Sequence, residues 1–589
     1  MQLLKSEVLP LIEKAVESLG VDSGLVDRML QGSTEHTWPP ACDLSLPCFQ
    51  FAKTLKMAPA AIAERLSGEI PEHEAIREIT AVNGFLNITA SSSWLAEQVL
   101  DQRTRQRPDE RREVLIEHTS ANPNGPFHVG RARNAILGDT LVRLHRLWGD
   151  EVTAEYYVDD MGKQVAVLAW ALENMSEVEV ESLLKDRDPI NPQWAQKADH
   201  QRVRWYQAAQ LRRKESPDAT AIETAIGTLV HASENGDQGV LDSFERAYKP
   251  VLDGMLQTLG RLGIHYDRFT KESVFVTNGD VADLMNELGQ LEINGVADNG
   301  AQYLDLGQRG LKGKTEFFYR RGDGSSLYAT RDIAYHRWKW TQCNELINVL
   351  GEDHRLQAKQ VGLTLEELGE RRPEVMFYSF INLPEGKMST RRGNVVFMDD
   401  LLEEAKAHAT EVLKERRPDL DEETMDHIAE AVGTSAVRFN IISVSPEKGF
   451  TFRWEDALSF EAGSAPFIMY SHTRACSIRR KVRDVDASHL DKTYQGEAPS
   501  DEMPYGLVQL LRTLAVHDDQ LSRVVREHRP NLFANYMLQL SMAYNMFYRD
   551  CYVIDHGKVN PFFFAVSERA RTALRAGMDA LGIVALESM

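Results

Sequence analysis

The 589-residue sequence lacks the features of a membrane protein, a secreted protein or a zinc protein. No stretch approaches about 18 uncharged apolar residues, the length that a transmembrane helix needs. Acidic side chains interrupt the apolar pattern of the first helical segment, which argues against a signal peptide. The five cysteines are scattered and include no CxxC pair, which disfavours a disulfide framework and a four-cysteine zinc site. These absences predict a cytoplasmic protein with no membrane partner and no zinc.

Positive charge is also scarce in this sequence. Lysine and arginine number 67 against 88 acidic residues, and the formal net charge is −21. Proteins that bind a polyanion are more often basic, but net charge is an average over the chain and local charge matters more. Five cations and no carboxylate lie within residues 470–483, and five arginines lie within residues 103–112. Each run could be a solvated helix face, and each is also compatible with a polyanion partner.

Three regions differ in their hydrophobic pattern. Residues 1–108 indicate a small α+β domain with one strand signal at residues 84–90. In residues 109–455, short apolar runs alternate with helical periods, which predicts a parallel α/β sheet with its chemistry at the carboxyl ends of the strands. A polar, helix-forming insertion occupies about residues 175–260 of this region. Strand signals nearly vanish in residues 456–589, which are predicted to form an all-α helical bundle.

A loop rich in glycine, proline and asparagine follows the first predicted strand of the α/β region and leads into a helix, with the sequence SANPNGPFHVGRARN at residues 120–134. The N-terminus of a helix presents unpaired N–H groups and a positive dipole end to an anion. Gly125 and Gly130 lack the Cβ atoms that would keep a nucleotide off the backbone, and His128 can donate to a phosphate oxygen. By itself, a histidine–x–glycine sequence is usually an ordinary connection.

A second loop, GKMSTRRGN at residues 386–394, follows a later predicted strand. Lys387 and Arg391, together with the hydroxyl of Ser389, suit a loop that neutralises the charge of a triphosphate. In isolation, this composition is more typical of a polar surface loop. The second loop therefore predicts phosphate binding only in combination with the first loop.

Together and in this order, the two loops resemble the paired signature motifs of class I aminoacyl-tRNA synthetases. Residues 128–131 (HVGR) are similar to the HIGH motif, and residues 387–391 (KMSTR) are similar to KMSKS. Two positions depart from the pattern, because Arg131 replaces the last histidine and Thr390 replaces the second lysine. The resemblance implies a Rossmann-like catalytic domain that binds ATP, with Mg²⁺ accompanying the phosphates. The ATP-binding residues that it implies are Gly125, His128, Gly130, Arg131, Lys387, Ser389 and Arg391.

Within class I, nearly all of the chain resembles the arginyl-tRNA synthetases. The stretches that carry this resemblance are residues 157–164 (YVDDMGKQ), 326–339 (SLYATRDIAYHRWK) and 469–481 (MYSHTRACSIRRK). The resemblance implies that arginine is activated with ATP to arginyl-adenylate and is then transferred to the 3′-terminal adenosine of tRNA(Arg). It further implies that residues 1–108 are an additional domain that contacts tRNA and that residues 456–589 bind the anticodon.

The predicted amino-acid pocket suits a guanidinium, which is a planar fork of donors that carboxylates hold best. Glu117 ends the first strand of the α/β region, and Asp332 follows Tyr328 on a predicted helix. The resemblance assigns these three residues, with Asn122, to arginine binding, and it places His354 where the family often has glutamine. A single acid of this kind would more often be a surface residue, but the spacing of the set matches the family.

The resemblance also implies catalytic roles for His128 and Lys387, which we expect to contact the phosphates in the transition state. A basic tract and nearby rings are expected to contact tRNA, namely Arg474, Arg479, Arg480 and Lys481 with Tyr470, His472, Tyr544 and Phe547. A monomer is expected. Two other interpretations remain open, a nucleotidyltransferase that shares the fold but uses no tRNA, and a tRNA-binding protein that has lost catalysis.

Overall fold

Two compact units make up the chain, residues 1–108 together with 459–589, and residues 109–458. The predicted division into three domains stays a prediction. Its first segment, residues 1–108, and nearly all of its last segment lie within one unit. No helix in the described part of the chain is both long and apolar enough to cross a lipid bilayer. A computed structural model describes residues 1–32, 42–101, 111–185, 190–215, 217–382, 396–457, 459, 463–490, 494–496, 498, 499 and 502–589.

The first unit opens with a four-stranded antiparallel sheet in the order β1-β2-β4-β3. Its strands are β1 (Gln31–Gly32), β2 (Leu44–Pro47), β3 (Ile76–Val82) and β4 (Phe85–Ala90). The helices around this sheet are α1 (Gln2–Ser18), α2 (Val26–Met29), α3 (Ala52–Leu55), α4 (Pro59–Glu69) and α5 (Ser92–Leu100). The α+β class is confirmed, but the expectation of a single strand was wrong, because β1 and β2 are only two and four residues long and β3 buries none of its side chains fully.

The hairpin between β3 and β4 is the strand signal that the sequence analysis overlooked. Asn83 and Gly84 form its two-residue connection with φ of +50° and +85°, which matches the right-handed twist of the paired strands. A Cβ at Gly84 would lie 2.8 Å from the Cβ of Pro59, so packing requires glycine there as well. An Asn-Gly pair between two apolar runs is a strong hairpin signal.

The second unit contains a five-stranded, fully parallel sheet in the order β12-β11-β5-β6-β7. Its strands are β5 (Glu113–Glu117), β6 (Glu151–Val158), β7 (Arg268–Lys271), β11 (Glu345–Gly351) and β12 (Glu374–Tyr378). A separate antiparallel sheet consists of β8 (Asn294–Val296), β9 (Gln302–Asp305) and β10 (Glu316–Arg320), and a short parallel pair of β13 (Ile381–Asn382) and β14 (Phe450–Thr451). The predicted parallel α/β sheet is confirmed.

Helices cover both faces of the parallel sheet, which explains why the interior of the central strand is a continuous apolar run. Val114, Leu115 and Ile116 of β5 are all buried. The polar insertion is helical as predicted. The helices of this unit are α6 (Val129–Trp148), α7 (Lys163–Asn174), α8 (Glu177–Leu183), α9 (Ala198–Glu215), α10 (Ala219–Glu234), α11 (Gln238–Arg261), α12 (Ser273–Thr277), α13 (Asp280–Leu288), α14 (Tyr328–Trp340), α15 (Arg355–Glu367), α16 (Met398–Arg416), α17 (Glu422–Ile442) and α18 (Trp454–Ala457).

The C-terminal part of the first unit is a helical bundle, as predicted. Its long helices pack through buried aromatic and aliphatic side chains, and a small two-stranded hairpin interrupts it. Arg512 of this bundle lies 3.2 Å from the buried carboxylate of Asp43, so the first and last segments of the chain share one interior. The elements are α19 (Ala465–Asp486), α20 (Tyr505–Ala515), α21 (His517–Glu527), α22 (Pro530–Asp550), β15 (Ile554–Asp555), β16 (Lys558–Val559) and α23 (Pro561–Leu581).

Candidate active site

A cavity of about 680 Å³ opens at the carboxyl ends of β5 and β11. From β5 the chain continues to β6 and β7 on one side, and it returns through β11 and β12 on the other. Such a switch point leaves a crevice between the loops of a parallel sheet. The cavity is lined by most of the residues predicted from the sequence and described by the structure: Glu117, Asn122, His128, Gly130, Arg131, Tyr328, Asp332 and His354.

The backbone turns sharply just after β5 ends. Thr119 and Ser120 have φ of +70° and +38°, in the left-handed region that side-chain-bearing residues seldom adopt. Asn134 of α6 stabilises this turn, because its Oδ1 accepts the Thr119 N–H at 2.5 Å and its Nδ2 donates to the Val349 carbonyl at 2.9 Å. The turn thus joins β5, α6 and β11 at the cavity, and backbone strain of this kind is often stored at functional sites.

Glu117 is held against the cavity wall from two sides. Ser120 Oγ donates to its Oε1 at 3.0 Å, and Lys339 Nζ donates to its Oε2 at 2.6 Å. Ser120 Oγ also accepts the backbone N–H of Tyr157 at 3.1 Å, so the strained turn itself is tied to β6. The carboxylate therefore has a defined orientation.

Asp332 lies one turn after Tyr328 in α14 and faces the same cavity. His336 Nδ1 is 3.1 Å from its Oδ1, and Gln357 Nε2 is 3.5 Å from its Oδ2. Burial alone would raise the pKa of Asp332, but His336 and then Lys339 outweigh burial and hold the pKa below its ordinary value. Asp332 is therefore an anion at neutral pH.

Asn122 and His354 occupy different depths of the cavity wall. Asn122 Nδ2 donates to Gln164 Oε1 at 3.0 Å, which fixes the amide. His354 is at the rim, with its side chain 52% exposed. Gln357 lies one helical turn further along the chain and approaches Asp332 from the inside. A glutamine is thus present in the pocket, although the sequence analysis considered only position 354.

His128 caps the first turn of α6, so the positive end of the helix dipole lies at the cavity. Burial, and to a smaller degree the charge of Arg131, lowers the pKa of His128 to about 4. The imidazole is therefore neutral at physiological pH and can offer an N–H donor. A Cβ at Gly130 would lie 3.0 Å from the His128 ring, so glycine lets the ring lie against the helix start.

Gly125 has a packing role that needs no nucleotide. A Cβ at this position would lie 2.6 Å from Cγ2 of Val203, on the insertion helix α9. The loop and the insertion therefore approach each other closely at Gly125. Its assignment to ATP binding stays a prediction.

The segment after the second loop is hydrogen-bonded to the first loop. Val129 N–H donates to Val396 O at 3.0 Å, and Met398 N–H donates to Phe127 O at 2.8 Å. Residues 396–398, which follow the second motif along the chain, are therefore neighbours of the first loop in space. Lys387, Ser389, Thr390 and Arg391 lie outside the described residues.

Several polar residues of the cavity were missed by the sequence analysis. His336 and Lys339 follow Asp332 by four and seven positions, so all three lie on one face of α14. This spacing was visible in the sequence. Asn348, by contrast, is contributed by β11, and its contact with α14 depends on how the helix packs on the sheet. Tyr157 and Asp159 at the end of β6 also line the cavity.

A second cluster of buried charged groups lies at the start of α16. Asp199, His200 and Asp399 are close enough to share a metal ion. Lys197 Nζ, however, donates to Asp399 Oδ2 at 2.6 Å and to Asp199 Oδ2 at 3.1 Å. The lysine ammonium supplies the positive charge that these two carboxylates need, so the cluster is a self-contained ion-pair network that ties α9 to α16.

Three of the rings that were predicted to contact tRNA are inaccessible in the helical part of the first unit, so this part of the prediction was wrong. His472, Tyr544 and Phe547 are fully buried, so these rings cannot stack on a base. Apolar packing between α19, α22 and α23 uses them instead. Tyr470 is exposed, as expected.

The cations of the basic tract divide into engaged and exposed groups. Arg479 forms an ion pair with Glu568, and Arg480 Nη1 donates to Glu587 O at 2.9 Å. Lys481 is exposed. Arg474 lies between two rings, with its guanidinium carbon 4.4 Å from the centroid of Tyr470 and 5.0 Å from that of Tyr548. The tract is therefore not uniformly available to a polyanion.

Comparison with known proteins agrees with this site. Residues 94–454 match the family described as tRNA synthetases class I (R), catalytic domain. This match, the parallel sheet and the cavity at its switch point define a class I aminoacyl-tRNA synthetase. Residues 9–90 match the arginyl tRNA synthetase N terminal domain, and residues 468–589 match the DALR anticodon binding domain. The chain belongs to the arginyl-tRNA synthetase family.

Similar proteins extend over the whole chain. The arginine–tRNA ligase of Methanocella arvoryzae is 39% identical and covers 92% of this chain and 93% of its own length. That of Methanocorpusculum labreanum is 38% identical, with 98% and 99% covered. The structure of Thermus thermophilus arginyl-tRNA synthetase has a TM-score of 0.76 at 24% identity, over 99% of this chain and 100% of its own. The last likeness establishes the fold.

Proposed function

We propose that this protein is an arginine–tRNA ligase, which activates arginine with ATP and transfers it to the 3′-terminal adenosine of tRNA(Arg). The observation that carries this proposal is the pairing of two anchored carboxylates, Glu117 and Asp332, in one cavity that also receives the start of α6. A guanidinium needs planar acceptors at one end, and the phosphates of ATP need donors at the other.

The arginine side chain is proposed to reach between Glu117 and Asp332. Tyr328, which is 47% exposed, lies on the cavity wall one turn before Asp332. Asn122, anchored by Gln164, is proposed to contact the amino-acid end of the substrate. Lysine lacks the planar fork and citrulline lacks the charge, so each would leave a buried carboxylate poorly paired.

Adenylate formation is proposed to occur at the start of α6. A carboxylate oxygen of arginine attacks the α-phosphorus of ATP, the bond to the bridging oxygen breaks, and pyrophosphate leaves with that electron pair. His128, uncharged because its pKa is about 4, donates an N–H to a phosphate oxygen, and Arg131 contributes positive charge. We assign further phosphate contacts to Lys387, Ser389 and Arg391. Positioning and charge neutralisation account for catalysis without a covalent enzyme intermediate.

Transfer is proposed to follow at the same cavity. The 2′-hydroxyl oxygen of the terminal adenosine attacks the carbonyl carbon of arginyl-adenylate, the bond from that carbon to the phosphate oxygen breaks, and AMP leaves with the electron pair while the hydroxyl proton passes to AMP or to water. Mg²⁺ accompanies the phosphates, since this ion is usually carried by phosphate oxygens and few protein ligands. Glu117 and Asp332 are already engaged by Lys339 and His336, so neither is proposed as a metal ligand.

A tyrosine–arginine surface on the helical bundle is proposed to receive unpaired bases of tRNA. Sequence-specific RNA recognition mostly stacks splayed bases on aromatic or guanidinium planes. Arg474 between Tyr470 and Tyr548 offers such planes, and Tyr552 nearby in sequence is 73% exposed. Of the basic tract, Lys481 remains the proposed phosphate contact, whereas Arg479 and Arg480 have partners within the bundle.

Exchange of pyrophosphate into ATP, measured with and without arginine and with and without tRNA(Arg), tests the proposal. We expect exchange that requires arginine and arginylation of added tRNA(Arg). Nucleotidyl transfer without arginine would favour the nucleotidyltransferase interpretation. Binding of tRNA without exchange would favour a protein that has lost catalysis. Either result would contradict the proposed function.

The protein is further proposed to act as a monomer in the cytoplasm, with residues 1–108, 109–455 and 456–589 as its tRNA-contacting, catalytic and anticodon-binding domains. Five cysteines that are all free and buried support a reducing compartment. Light scattering of the purified protein at several concentrations should give a constant mass near 66.6 kDa. A mass that rises to twice this value would contradict the proposed monomer.

A further inference from the structure

Lys339 is a cation with no contact to solvent. Its side chain is 0% exposed, on the buried face of α14. The ammonium lies 2.6 Å from Glu117 Oε2, 3.0 Å from Asn348 Oδ1 and 3.2 Å from His336 Nε2, and it sits 4.2 Å from the centroid of the Tyr335 ring. Burying an ammonium is costly unless every donor is used, and this one has a partner in each direction.

The same contacts link the two carboxylates of the arginine pocket. His336 Nε2 lies within reach of two donors, Lys339 Nζ at 3.2 Å and Asn348 Nδ2 at 2.7 Å. This nitrogen must therefore accept, and the ring proton is on Nδ1, which lies 2.7 Å from the backbone O of Asp332 and 3.1 Å from its Oδ1. The order Glu117–Lys339–His336–Asp332 is continuous. We call these four residues and Asn348 the carboxylate–lysine cluster.

The charge of this cluster follows from its hydrogen bonds. Its two carboxylates contribute two negative charges, the ammonium contributes one positive charge, and the neutral imidazole and amide contribute none. The cluster therefore presents one net negative charge to the cavity, which equals the single positive charge of a guanidinium. Without the lysine, the cluster would present two.

Other ionisable groups near the cluster are mostly paired among themselves. Arg268 Nε is 2.5 Å from Glu155 Oε2, and Arg331 forms an ion pair with Glu272. Other ionisable groups near Asp332 are Tyr328 and Tyr335 on the same helix, Tyr157 on β6 and Asp159 just after β6. These groups do not replace Lys339, because none is a cation.

We propose that Lys339 is a positioning residue for arginine recognition, which fixes Glu117 directly and Asp332 through His336, and which matches the charge of the carboxylate–lysine cluster to one guanidinium. This inference rests on the proposed function. Lys339 contacts no substrate in this arrangement and acts only through the two carboxylates.

Removal of Lys339 should weaken arginine binding in a pH-dependent way. Lys339 is one of the groups that lower the pKa of Asp332 against the effect of burial. Without it, Asp332 takes up a proton at higher pH, and a protonated carboxyl no longer pairs with a guanidinium. The effect on arginine should therefore be larger at low pH than at high pH, while ATP binding should change little.

The test compares Lys339→Met with Lys339→Arg, which restores a cation, and with Lys197→Met, which removes the buried lysine of the α9–α16 network. The KM for arginine, the KM for ATP and kcat are measured by pyrophosphate exchange between pH 5 and 9. We expect Lys339→Met to raise the KM for arginine about tenfold or more, the scale for removing one partner of a buried ion pair, with the larger factor at the lowest pH. Lys339→Arg should recover most of this loss.

Several outcomes would overturn the proposal. These are a KM for arginine that does not rise, a rise that is equal at every pH, an equal rise in the KM for ATP, or the same arginine effect in Lys197→Met. A wild-type protein without arginine-dependent exchange would instead contradict the proposed function itself, so the two failures are distinguishable.

A double variant keeps the test available if Lys339→Met fails to fold. Lys339→Met with Glu117→Gln removes one positive and one negative charge, so the net charge of the cluster returns to one negative. We expect this variant to fold and to show the wild-type pH dependence of the KM for arginine, at a raised KM. A pH dependence that differs from wild type would contradict the charge-matching role.

Discussion

Lys339 in the catalytic unit and Arg474 in the helical bundle are both cations in contact with tyrosine rings, but their surroundings differ. Lys339 is fully buried and is bound to a carboxylate at 2.6 Å. Arg474 is partly exposed and donates to the amide oxygen of Asn545 at 2.6 Å, and it forms no ion pair among the described residues. Burial commits the first cation to an internal anion, because a low dielectric makes an unpaired charge expensive. Exposure leaves the second one able to meet an external partner.

The same contrast separates the two ends of the active-site cavity. The end that is proposed to bind arginine contains carboxylates that are held by buried groups of the protein, whereas the end at α6 has a neutral histidine and a helix dipole. A pocket for a cation of fixed shape can be built in advance. A pocket for a nucleotide that must bind, react and leave depends on donors and on charges that lie on loops.

The largest effect is expected from a substitution that removes one of the buried, internally paired charges. Asp332→Asn should raise the KM for arginine by roughly 10²-fold or more, because truncating one partner of a buried charge pair costs about 2–5 kcal/mol. Glu366→Gln, an exposed acid of α15 that is paired with Arg372, is the matched control and should leave the KM unchanged. Pyrophosphate exchange at varied arginine measures both. A normal KM in Asp332→Asn would remove this residue from the pocket.

His128→Ala tests the neutral end of the cavity. We expect adenylate formation to slow by roughly 10²-fold, the scale for losing one preorganised donor, with little loss of stability. Since the pKa of His128 is about 4, this residue should contribute no inflection to the wild-type rate between pH 6 and 9. Single-turnover kinetics provide the measurement. A wild-type rate in the variant would show that the imidazole does not contact the reacting phosphates.

His118 shows what burial does to an imidazole when the nearby carboxylate, Asp139, is too weak to offset it. Burial lowers its pKa from 6.5 to about 4, so the folded protein keeps the ring neutral. Below pH 6.5 the unfolded chain binds a proton that the folded chain does not, and stability falls until about pH 4. The loss should approach about 3 kcal/mol. Urea unfolding of the wild type and of His118→Gln is measured at pH 6.5 and at pH 4. Between these two pH values, the free energy of unfolding should decrease less in the variant.

The exposed side of the comparison is tested by Tyr548→Ala. If the ring stacks on a base, tRNA(Arg) should bind more weakly by about 1–3 kcal/mol, while arginine-dependent exchange stays intact. Tyr544→Phe is the control, since it changes a buried tyrosine of the same helix that hydrogen-bonds Ser567. Unchanged tRNA affinity in a folded Tyr548→Ala variant would place the base contacts elsewhere.

The smallest effect is expected from Lys481→Glu. A lysine that contacts one phosphate should change the slope of log affinity against log salt by about one unit or less. Arg479→Gln should show a different response, because Arg479 is paired with Glu568, and it should lower the melting temperature more than the salt slope. Filter binding at several salt concentrations, beside a melting curve, separates the two residues. An equal change of the salt slope in both variants would contradict the distinction between exposed and internally paired cations in the basic tract.

The sequence alone determined the class of the fold and the identity of most of the cavity residues that it named. Short apolar runs between helical segments indicate strands of a parallel sheet that are buried on both faces. The loops that follow those strands are where the functional residues of such a sheet are expected. The resemblance to the arginyl-tRNA synthetases, added to this pattern, implied that Glu117, His128 and Asp332 share one site before their distances were known. An Asn-Gly turn at residues 83 and 84 was also readable and was overlooked.

Only the tertiary structure decided which polar and aromatic groups are buried and what each one contacts. The contact of Asn348 with α14, the approach of Gln357 to Asp332 and the burial of Tyr544 join elements that no local pattern relates. A lysine or a tyrosine has the same local sequence signal whether it faces solvent or the interior. Its charge state and its role depend on the dielectric and the partners around it, and packing alone supplies these.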